Sequence, residues 1–302
     1  MHTPIEQFLL QFQGEEIVYF PNPGNAGDSV IASATYQVFD RLGLRYTTPR
    51  FGRCDLQGRV VIYGGGGNLV SPGSFSTRLM TAVHTQARRF IVLPQTVKSV
   101  TPLLQACGNN VEIICREAVS FDYVRANAPR AQVHLMDDMA FSLDVDTLLH
   151  STPEHSPLGR LVSVLWAKTF EQRNVPALDD VFRAFGLRQL LAGLDQRAGE
   201  SELYCFRTDG EKTEIALPPS NIDLSEVFKF GVETKEVAFL SAASVLRYLS
   251  HFKTVHTNRL HMAISSALLG LNVRFHANDY YKCRAVYEQS MRERFPNVTW
   301  ME

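Results

Sequence analysis

The sequence has little of several features that would assign it to a specialised class of protein. Its 302 residues carry a formal net charge of −1, so no strong overall field would attract nucleic acid. Five cysteines are scattered without a C-x-x-C pair, which argues against a zinc site and for a reducing compartment. No apolar run approaches the roughly 18 residues of a membrane-spanning helix, and residues 1–13 lack the pattern of a signal peptide. These absences predict a cytoplasmic protein.

Two signatures of nucleotide binding are also missing. Four glycines stand at positions 64–67, but no Gly-Lys-Ser/Thr follows them, as a P-loop would require. A G-x-G-x-x-G fingerprint for dinucleotides is absent too. These gaps argue against a nucleotide site of either type.

What the sequence does contain is ordinary globular composition and a repeated strand-loop-helix rhythm. Apolar residues make up 45% and charged residues 20%, and the length suits two domains of roughly 150 residues each. Short apolar runs that end in polar residues alternate with amphipathic segments, which predicts doubly wound, mostly parallel sheets in an α/β fold. The predicted strands are residues 15–20, 59–63, 90–93, 111–115, 132–135, 161–168, 202–206, 252–256 and 271–276. The predicted helices are residues 1–13, 29–42, 75–88, 118–126, 176–197 and 241–251, one after 257–261, and a last one starting at 278–282.

Residues 150–158 are polar and contain prolines, which is typical of a linker between domains. We therefore predict a boundary near residues 145–160. An N-terminal domain would cover 1–150 and a C-terminal domain 151–302, with the last helix packing back on the first domain.

The chain is organised around residues 257–261, Thr-Asn-Arg-Leu-His, which join a predicted strand to an amphipathic helix. Thr257 or Asn258 is suited to cap this helix. The positive end of the helix, the guanidinium of Arg259 and the imidazole of His261 together predict an anion site with an acid beside it. A helix start that simply faces solvent would carry the same residues.

Two glycine-rich segments follow earlier predicted strands. The first, residues 24–28, contains Asn25 and two glycines that let a ligand approach the backbone. It ends in Asp28, which is suited both to a helix cap and to a functional carboxylate. The second, residues 64–68, contains Gly65, Gly66 and Asn68. Consecutive glycines lose much backbone entropy on folding, so we expect them where the backbone must lie against a substrate.

Taken together in chain order, these motifs resemble the polysaccharide pyruvyl transferase family. The resemblance is carried by GNAGD (24–28), GGGGN (64–68), PQT (94–96), REAVS (116–120), DDMAFSL (137–143), FRTDGE (206–211), TNRLHMAISSALLG (257–270) and NDYYK (278–282). The segments cover nearly the whole chain. Met139 is a departure, since proline is more usual there.

The resemblance implies a GT-B-like arrangement of two Rossmann-like domains around a cleft. It also implies transfer of pyruvate from phosphoenolpyruvate to two hydroxyls of a sugar, which forms a ketal, without a cofactor or metal. Arg116 of REAVS, and Arg259 and Leu260 of the R-L-H triplet, would contact the donor. Arginine suits a ligand that carries both a phosphate and a carboxylate.

The chemistry of ketal formation suggests roles for two further side chains. His261 is suited to protonate the methylene carbon of the donor, because its pKa lies near neutrality. Asp28 would orient or deprotonate a sugar hydroxyl. The acceptor would be a sugar of an exopolysaccharide or cell-surface glycan, and a lipid-linked acceptor with contact at the inner face of the membrane stays open. So do two other functions, a GT-B glycosyltransferase using a nucleotide-sugar and a non-catalytic glycan-assembly protein.

Overall fold

A computed structural model describes residues 2–154, 156–166, 201–209 and 215–302, together with positions 169 and 181. Its contacts divide the chain into two compact units. The first unit comprises Met1–Asn22 and Ala34–Ser142, and the second comprises Pro23–Ser33 and Leu143–Glu302. The predicted helix at 176–197 lies outside the described residues except for position 181.

The first unit contains a seven-stranded parallel sheet. Its strands are β1 (Glu16–Phe20), β2 (Arg45–Thr47), β3 (Val60–Tyr63), β4 (Gly66–Leu69), β5 (Arg89–Val97), β6 (Val111–Cys115) and β7 (Gln132–Leu135). The strand order is β2-β1-β3-β5-β6-β7, and β4 pairs with β5 outside that path. The central strands are rich in valine and isoleucine and fully buried, as expected for a parallel sheet covered on both faces.

From β1 the chain adds β2 on one side of the sheet and then β3 on the other side, so the direction of strand addition reverses between β1 and β3. These two strands pair in the register Val18↔Val61. A reversal of this kind opens a crevice outside the carboxyl ends of the two strands, where α/β proteins place ligands. The glycine-rich segment at 64–68 follows directly after β3, and the segment at 24–28 begins four residues after the end of β1.

Helices connect the strands of the first unit along the chain. They are α1 (Pro4–Leu9), α2 (Ala26–Arg41), α3 (Phe75–Val83), α4 (Thr101–Ala106) and α5 (Ala118–Asn127). Apolar side chains of the sheet, of α3 and of α5 form one buried cluster that includes Val61, Leu79, Ile113 and Val124. The burial of these side chains is the main force that holds the helices on the sheet.

The second unit contains a four-stranded parallel sheet in the order β11-β10-β9-β8. Its strands are β8 (Glu202–Cys205), β9 (Thr254–Thr257), β10 (Asn272–His276) and β11 (Val298–Met301). Its described helices are α6 (Val145–Ser151), α7 (Pro157–Trp166), α8 (Leu224–Val227), α9 (Lys235–Leu249), α10 (Leu260–Leu268) and α11 (Lys282–Val286). Buried residues of these elements form the core around Leu203, Val245, Val255 and Met262. The mixed α/β architecture with two mostly parallel sheets matches the prediction.

One predicted element is wrong. Residues 161–168 were expected to form a strand, but the described part of this segment belongs to α7. The run of Leu161, Val162, Val164 and Leu165 suits either structure on composition alone. Val164 is fully buried while Val162 lies on the exposed side, so the apolar positions match a helix that packs on one face.

Other boundaries shift, and the sequence analysis missed some short elements. The helix expected from residue 29 starts at Ala26, and residues 66–69 form β4 instead of a continuous loop. The short strands β2 and β11 and the helix α4 were not predicted. The first two are only three and four residues long, and such elements depend on their neighbours more than on local pattern.

Within the described residues, no helix is long and apolar enough to cross a membrane. The same part of the chain contains no group of three or more His, Cys, Asp or Glu residues placed to hold a metal ion.

Candidate functional site

The first turn of α2 is closed by a reciprocal pair of side chains. The side-chain oxygen of Asn25 accepts a hydrogen bond from the Gly27 amide at 2.8 Å, and Asp28 Oδ2 accepts one from the Asn25 amide at 2.9 Å. Asn25 is therefore the cap, and Asp28 is the third helical residue that reaches back, as in a capping box. The expectation that Asp28 itself is the cap is wrong, because the helix starts earlier than the apolar pattern indicated.

Two glycines in this turn make room for functional side chains. A Cβ atom at Gly24 would overlap the carboxylate of Asp28. A Cβ atom at Gly27 would lie 2.8 Å from Nδ1 of His261 and 3.0 Å from its Cβ. The start of α2 is thus packed directly against His261, and only glycine fits between them.

His261 is the second residue of α10, which follows β9 after a two-residue turn. The end of β9 is fixed because Thr257 Oγ1 donates to the Cys205 carbonyl at 2.6 Å and accepts from the Arg259 amide at 3.0 Å. Arg259, not Thr257 or Asn258, occupies the cap position, and its own side chain makes no capping hydrogen bond. The positive end of a helix is suited to bind an anion.

Arg259 is buried and held by two carboxylates. Its Nε donates to Asp223 Oδ1 at 3.0 Å, its Nη2 contacts Asp223 Oδ2, and its Nη1 lies 2.9 Å from Asp209 Oδ2. Burial acts to lower the pKa of Arg259, but Asp223 outweighs it, so the pKa lies above its ordinary value. Arg259 is therefore a fixed cation, and the sequence analysis did not identify Asp223 as its partner.

Asp223 and Arg207 complete this cluster. Asp223 also accepts from the Thr208 amide at 3.0 Å and from the Ser225 hydroxyl at 2.7 Å, which fixes its carboxylate. Arg207 pairs with Asp209. The FRTDGE motif was the available signal for Arg207, but nothing in the local sequence around Asp223 pointed to a site. It lies 36 positions before Arg259.

Arg116 has a different environment in the first unit. Its Nη1 donates to Asp138 Oδ2 at 2.6 Å, its Nε donates to Thr96 Oγ1 at 2.9 Å, and both members of the ion pair are fully buried. Asp138 Oδ1 also accepts from the Ala140 amide at 2.9 Å. The PQT, REAVS and DDMAFSL motifs meet here, so the three segments form one buried hydrogen-bonded network.

Glu117, the neighbour of Arg116 in the sequence, has different partners from Arg116. Its carboxylate caps α5 by accepting from the Ser120 amide at 2.8 Å, and it also contacts the Ser120 hydroxyl. Ser120 Oγ in turn accepts from the Val97 amide at 2.8 Å. Glu117 and Ser120 thus join the start of α5 to the end of β5, which is a structural role.

The glycine segment after β3 is shaped by contacts with the chain after β1. A Cβ atom at Gly64 would lie 2.6 Å from the Asn22 amide nitrogen. Asn22 Oδ1 accepts from Tyr63 at 2.5 Å and from Asn68 Nδ2 at 3.2 Å. Gly66 has φ 143°, a backbone conformation that favours glycine. The close approach of two loops therefore explains much of the glycine content.

Two buried cysteines on the strands beside these residues are unsuited to nucleophilic chemistry. Burial raises the pKa of Cys205 to about 12, and it also raises the pKa of Cys115, with a smaller contribution from Glu117. The reactive form of a cysteine is its thiolate. Both side chains stay protonated at neutral pH, which leaves the acid–base residues as candidates for chemistry.

The structure brings together one part of the predicted site within the second unit. Asn25, Asp28, Arg259, Leu260 and His261 all belong to this unit. Arg116, Gly65, Gly66 and Asn68 belong to the first unit.

Comparisons with known proteins agree with the motifs. The family model described as polysaccharide pyruvyl transferase matches residues 25–280. A solved structure of a functional uncharacterized protein from Klebsiella pneumoniae subsp. pneumoniae NTUH-K2044 is similar, with a TM-score of 0.74 and 28% identity over 99% of this chain and 97% of that one. A comparison with curated proteins found no match. Because the family model spans most of the sequence, the chain belongs to the polysaccharide pyruvyl transferase family.

Proposed function

We propose that this protein transfers pyruvate from phosphoenolpyruvate to two hydroxyls of a glycan sugar, forming a ketal and releasing phosphate. Membership of the polysaccharide pyruvyl transferase family supports pyruvylation of a glycan. The observation that carries the proposal is the packing of His261 against Gly27. It brings His261, in the first turn of α10, against the first turn of α2 and its cap residue Asn25. His261 follows the buried cation Arg259 by two positions in the sequence.

The reaction requires a proton donor and an acceptor of a proton. His261 would protonate the methylene carbon of the donor while a first sugar hydroxyl attacks the neighbouring carbon. Asp28 would orient or deprotonate that hydroxyl. A second hydroxyl then attacks the same carbon and displaces phosphate, so no cofactor enters the balance.

Anion binding would rest on cations and helix ends. Arg259 and the positive end of α10 would hold one anionic group of phosphoenolpyruvate, with Leu260 alongside. Arg116 stays a proposed second anchor, as the family resemblance implies. Gly65, Gly66 and Asn68 are proposed to line the sugar site, because they follow β3, one of the two strands at the sheet reversal.

We propose in addition an arrangement of the two domains and a class of acceptor. Domains covering 1–150 and 151–302 would form a GT-B-like pair, with the last helix packing back on the first domain. The acceptor would be an intermediate of exopolysaccharide or cell-surface glycan synthesis. A lipid-linked acceptor would be met at the inner face of the membrane.

The decisive experiment measures product release with candidate glycan acceptors. We expect stoichiometric release of phosphate from phosphoenolpyruvate together with a ketal signal in the NMR spectrum of the glycan. Release of a nucleotide from a nucleotide-sugar would instead show a glycosyltransferase. No turnover with either donor, combined with glycan binding, would show a non-catalytic protein.

A further inference from the structure

Arg207 and Arg259 occupy equivalent positions after two neighbouring parallel strands. Cys205 of β8 pairs in register with Thr257 of β9, and each arginine stands two residues after its member of this pair. The Arg207 amide donates to Asn258 Oδ1 at 2.8 Å, which joins the two turns. Both arginine side chains are buried. The sheet therefore brings two guanidinium groups together at the carboxyl ends of its strands.

The carboxylate of Asp209 bridges the two arginines. Arg207 Nε donates to Asp209 Oδ1 at 2.8 Å, and Arg207 Nη2 donates to Oδ2 at 3.0 Å. The same Oδ2 atom lies 2.9 Å from Arg259 Nη1. Asp209 Oδ2 thus contacts both guanidinium groups. A phosphate or carboxylate oxygen of a ligand could make the same two contacts.

The two carboxylates of the cluster differ in exposure. The Asp223 side chain is 5% exposed and is held by Arg259, Thr208 and Ser225. The Asp209 side chain is 37% exposed, although the arginines that it contacts are 8% and 6% exposed. Asp223 is thus built into the unit, whereas Asp209 covers the two arginines from the solvent side.

We propose that Arg207 and Arg259 form an anion clamp for the donor, and that Asp209 fills this clamp as an internal anion which the donor displaces. The identity of the anion as phosphoenolpyruvate rests on the proposed function, but the clamp itself does not. Arg207 is then a further donor-binding residue. Asp209 is a competitor of the donor for the same cations.

The electrostatics of the cluster favour such an exchange. The charge of Arg207 acts against the charged form of Arg259, while Asp209 acts in its favour. Two neighbouring guanidinium groups require a counter-anion, and a ligand that supplies one would release the Asp209 carboxylate to water at its exposed side. Asp223 stays on Arg259 throughout and keeps its guanidinium oriented.

The test measures binding of phosphoenolpyruvate and of inorganic phosphate to the full chain by calorimetry. We expect Asp209→Asn to tighten binding of both anions by about tenfold, because the variant removes a charged competitor. Arg207→Gln should weaken binding by at least about tenfold, as expected for a lost charge-assisted contact. Asp146→Asn, which removes the same charge from an exposed position on α6, should leave both affinities unchanged.

Three outcomes would overturn the proposal. Unchanged or weaker binding in Asp209→Asn would show that Asp209 only orients Arg259. Unchanged binding in Arg207→Gln would remove Arg207 from the site. An equal gain in Asp146→Asn would show a general charge effect. If Arg207→Gln does not fold, anion binding by Asp209→Asn still tests the proposal, because the side chain of Asp209 is partly exposed.

The same measurements separate the clamp from the proposed function. If inorganic phosphate binds with the expected order of variants while phosphoenolpyruvate binds no better than phosphate and is not turned over, the clamp stands and the donor assignment fails. If wild-type protein turns over phosphoenolpyruvate but Asp209→Asn and Arg207→Gln leave its affinity unchanged, the function stands and the clamp fails.

Discussion

Arg116 of the first unit and Arg259 of the second unit are both buried arginines at the carboxyl ends of parallel strands, but their partners differ. Arg116 is held by one carboxylate, Asp138, which is itself fully buried, and by the hydroxyl of Thr96. Arg259 is held by two carboxylates, and one of them, Asp209, is partly exposed.

We call the Arg116–Asp138 pair closed, because both partners are buried, and the cluster around Arg259 open, because its outer carboxylate, Asp209, is partly exposed. When one partner of a buried ion pair is removed, the other stays buried with an uncompensated charge, and the protein loses stability. An open cluster can exchange its outer carboxylate for an anionic ligand with less desolvation. The comparison therefore predicts that changes in the second unit chiefly alter chemistry and donor binding, and that loss of the Arg116 pair costs stability in addition to the proposed contact of Arg116 with the donor.

The largest effect is expected at His261, in the region of the open cluster. His261→Gln should retain the fold but lower turnover by roughly 10²–10⁴-fold, the usual contribution of a general acid. Single-turnover phosphate release, measured beside donor affinity, checks this. His251→Gln, at an exposed position of the same unit, is the matched control. Near-normal turnover in His261→Gln would leave the histidine a structural role only.

The two arginines themselves give the most direct test of the comparison. Arg259→Ala should weaken phosphoenolpyruvate binding by on the order of 2–4 kcal/mol, and Arg259→Lys should not restore it fully. Arg116→Ala should lower the free energy of unfolding by about 3–5 kcal/mol, because Asp138 stays buried without its partner. Calorimetry and urea denaturation measure the two quantities.

Controls for this pair of variants are available in the chain. Arg125→Ala removes an exposed arginine from α5 and should alter neither quantity. The double variant Arg116→Ala/Asp138→Ala should recover part of the lost stability. If Arg116→Ala leaves stability unchanged, the contrast between closed and open pairs is wrong. If it leaves donor affinity unchanged, Arg116 is not the second donor anchor.

A smaller effect is expected at Gly27. Gly27→Ala would place a methyl group 2.8 Å from His261 Nδ1, which forces the imidazole to move. A displaced catalytic group should lower turnover on the order of tenfold. Gly73→Ala, where no atom lies within 4 Å of the added Cβ, should have normal kinetics. Equal activity in both variants would mean that the position of His261 is not critical.

The smallest expected effect is a dependence on pH of the stability of the sheet in the second unit. Burial lowers the pKa of His256 and of His276 from the ordinary value of 6.5. At His256 the charge of Glu202 opposes this effect and the charge of Arg274 adds to it, and at His276 the charge of His256 adds to it. The unfolded chain therefore takes up protons at a higher pH than the folded one. Stability is complete above pH 6.5 and falls as the pH drops below it towards the folded-state pKa values.

Hydrogen exchange at the amides of β9 and β10 measures this local stability. After correction for intrinsic rates, protection should decrease between pH 7 and pH 5.5, while β3 and β6 of the first unit keep theirs. The double variant His256→Gln/His276→Gln should remove most of the pH dependence. An unchanged slope in that variant would assign the effect to other groups.

The fold class was predictable from the sequence because strand-loop-helix repeats follow from local apolar patterns. The strands around Val61, Ile113 and Val255 were placed correctly, since each is a short apolar run bounded by polar residues. The same method placed a strand at residues 161–168, where α7 is described, because a run of branched apolar residues does not distinguish strand from helix.

The site was predictable only where its residues stand close together in the sequence. Arg259, Leu260 and His261 form one turn, and Asn25 and Asp28 form another, so the sequence by itself determined these two groups and their chemical character. The tertiary structure decided which groups meet. It packed Gly27 against His261, paired Arg116 with Asp138, and placed Asp209 and Asp223 on Arg259. These contacts depend on the register of parallel strands and on connections across many residues, which no local pattern encodes.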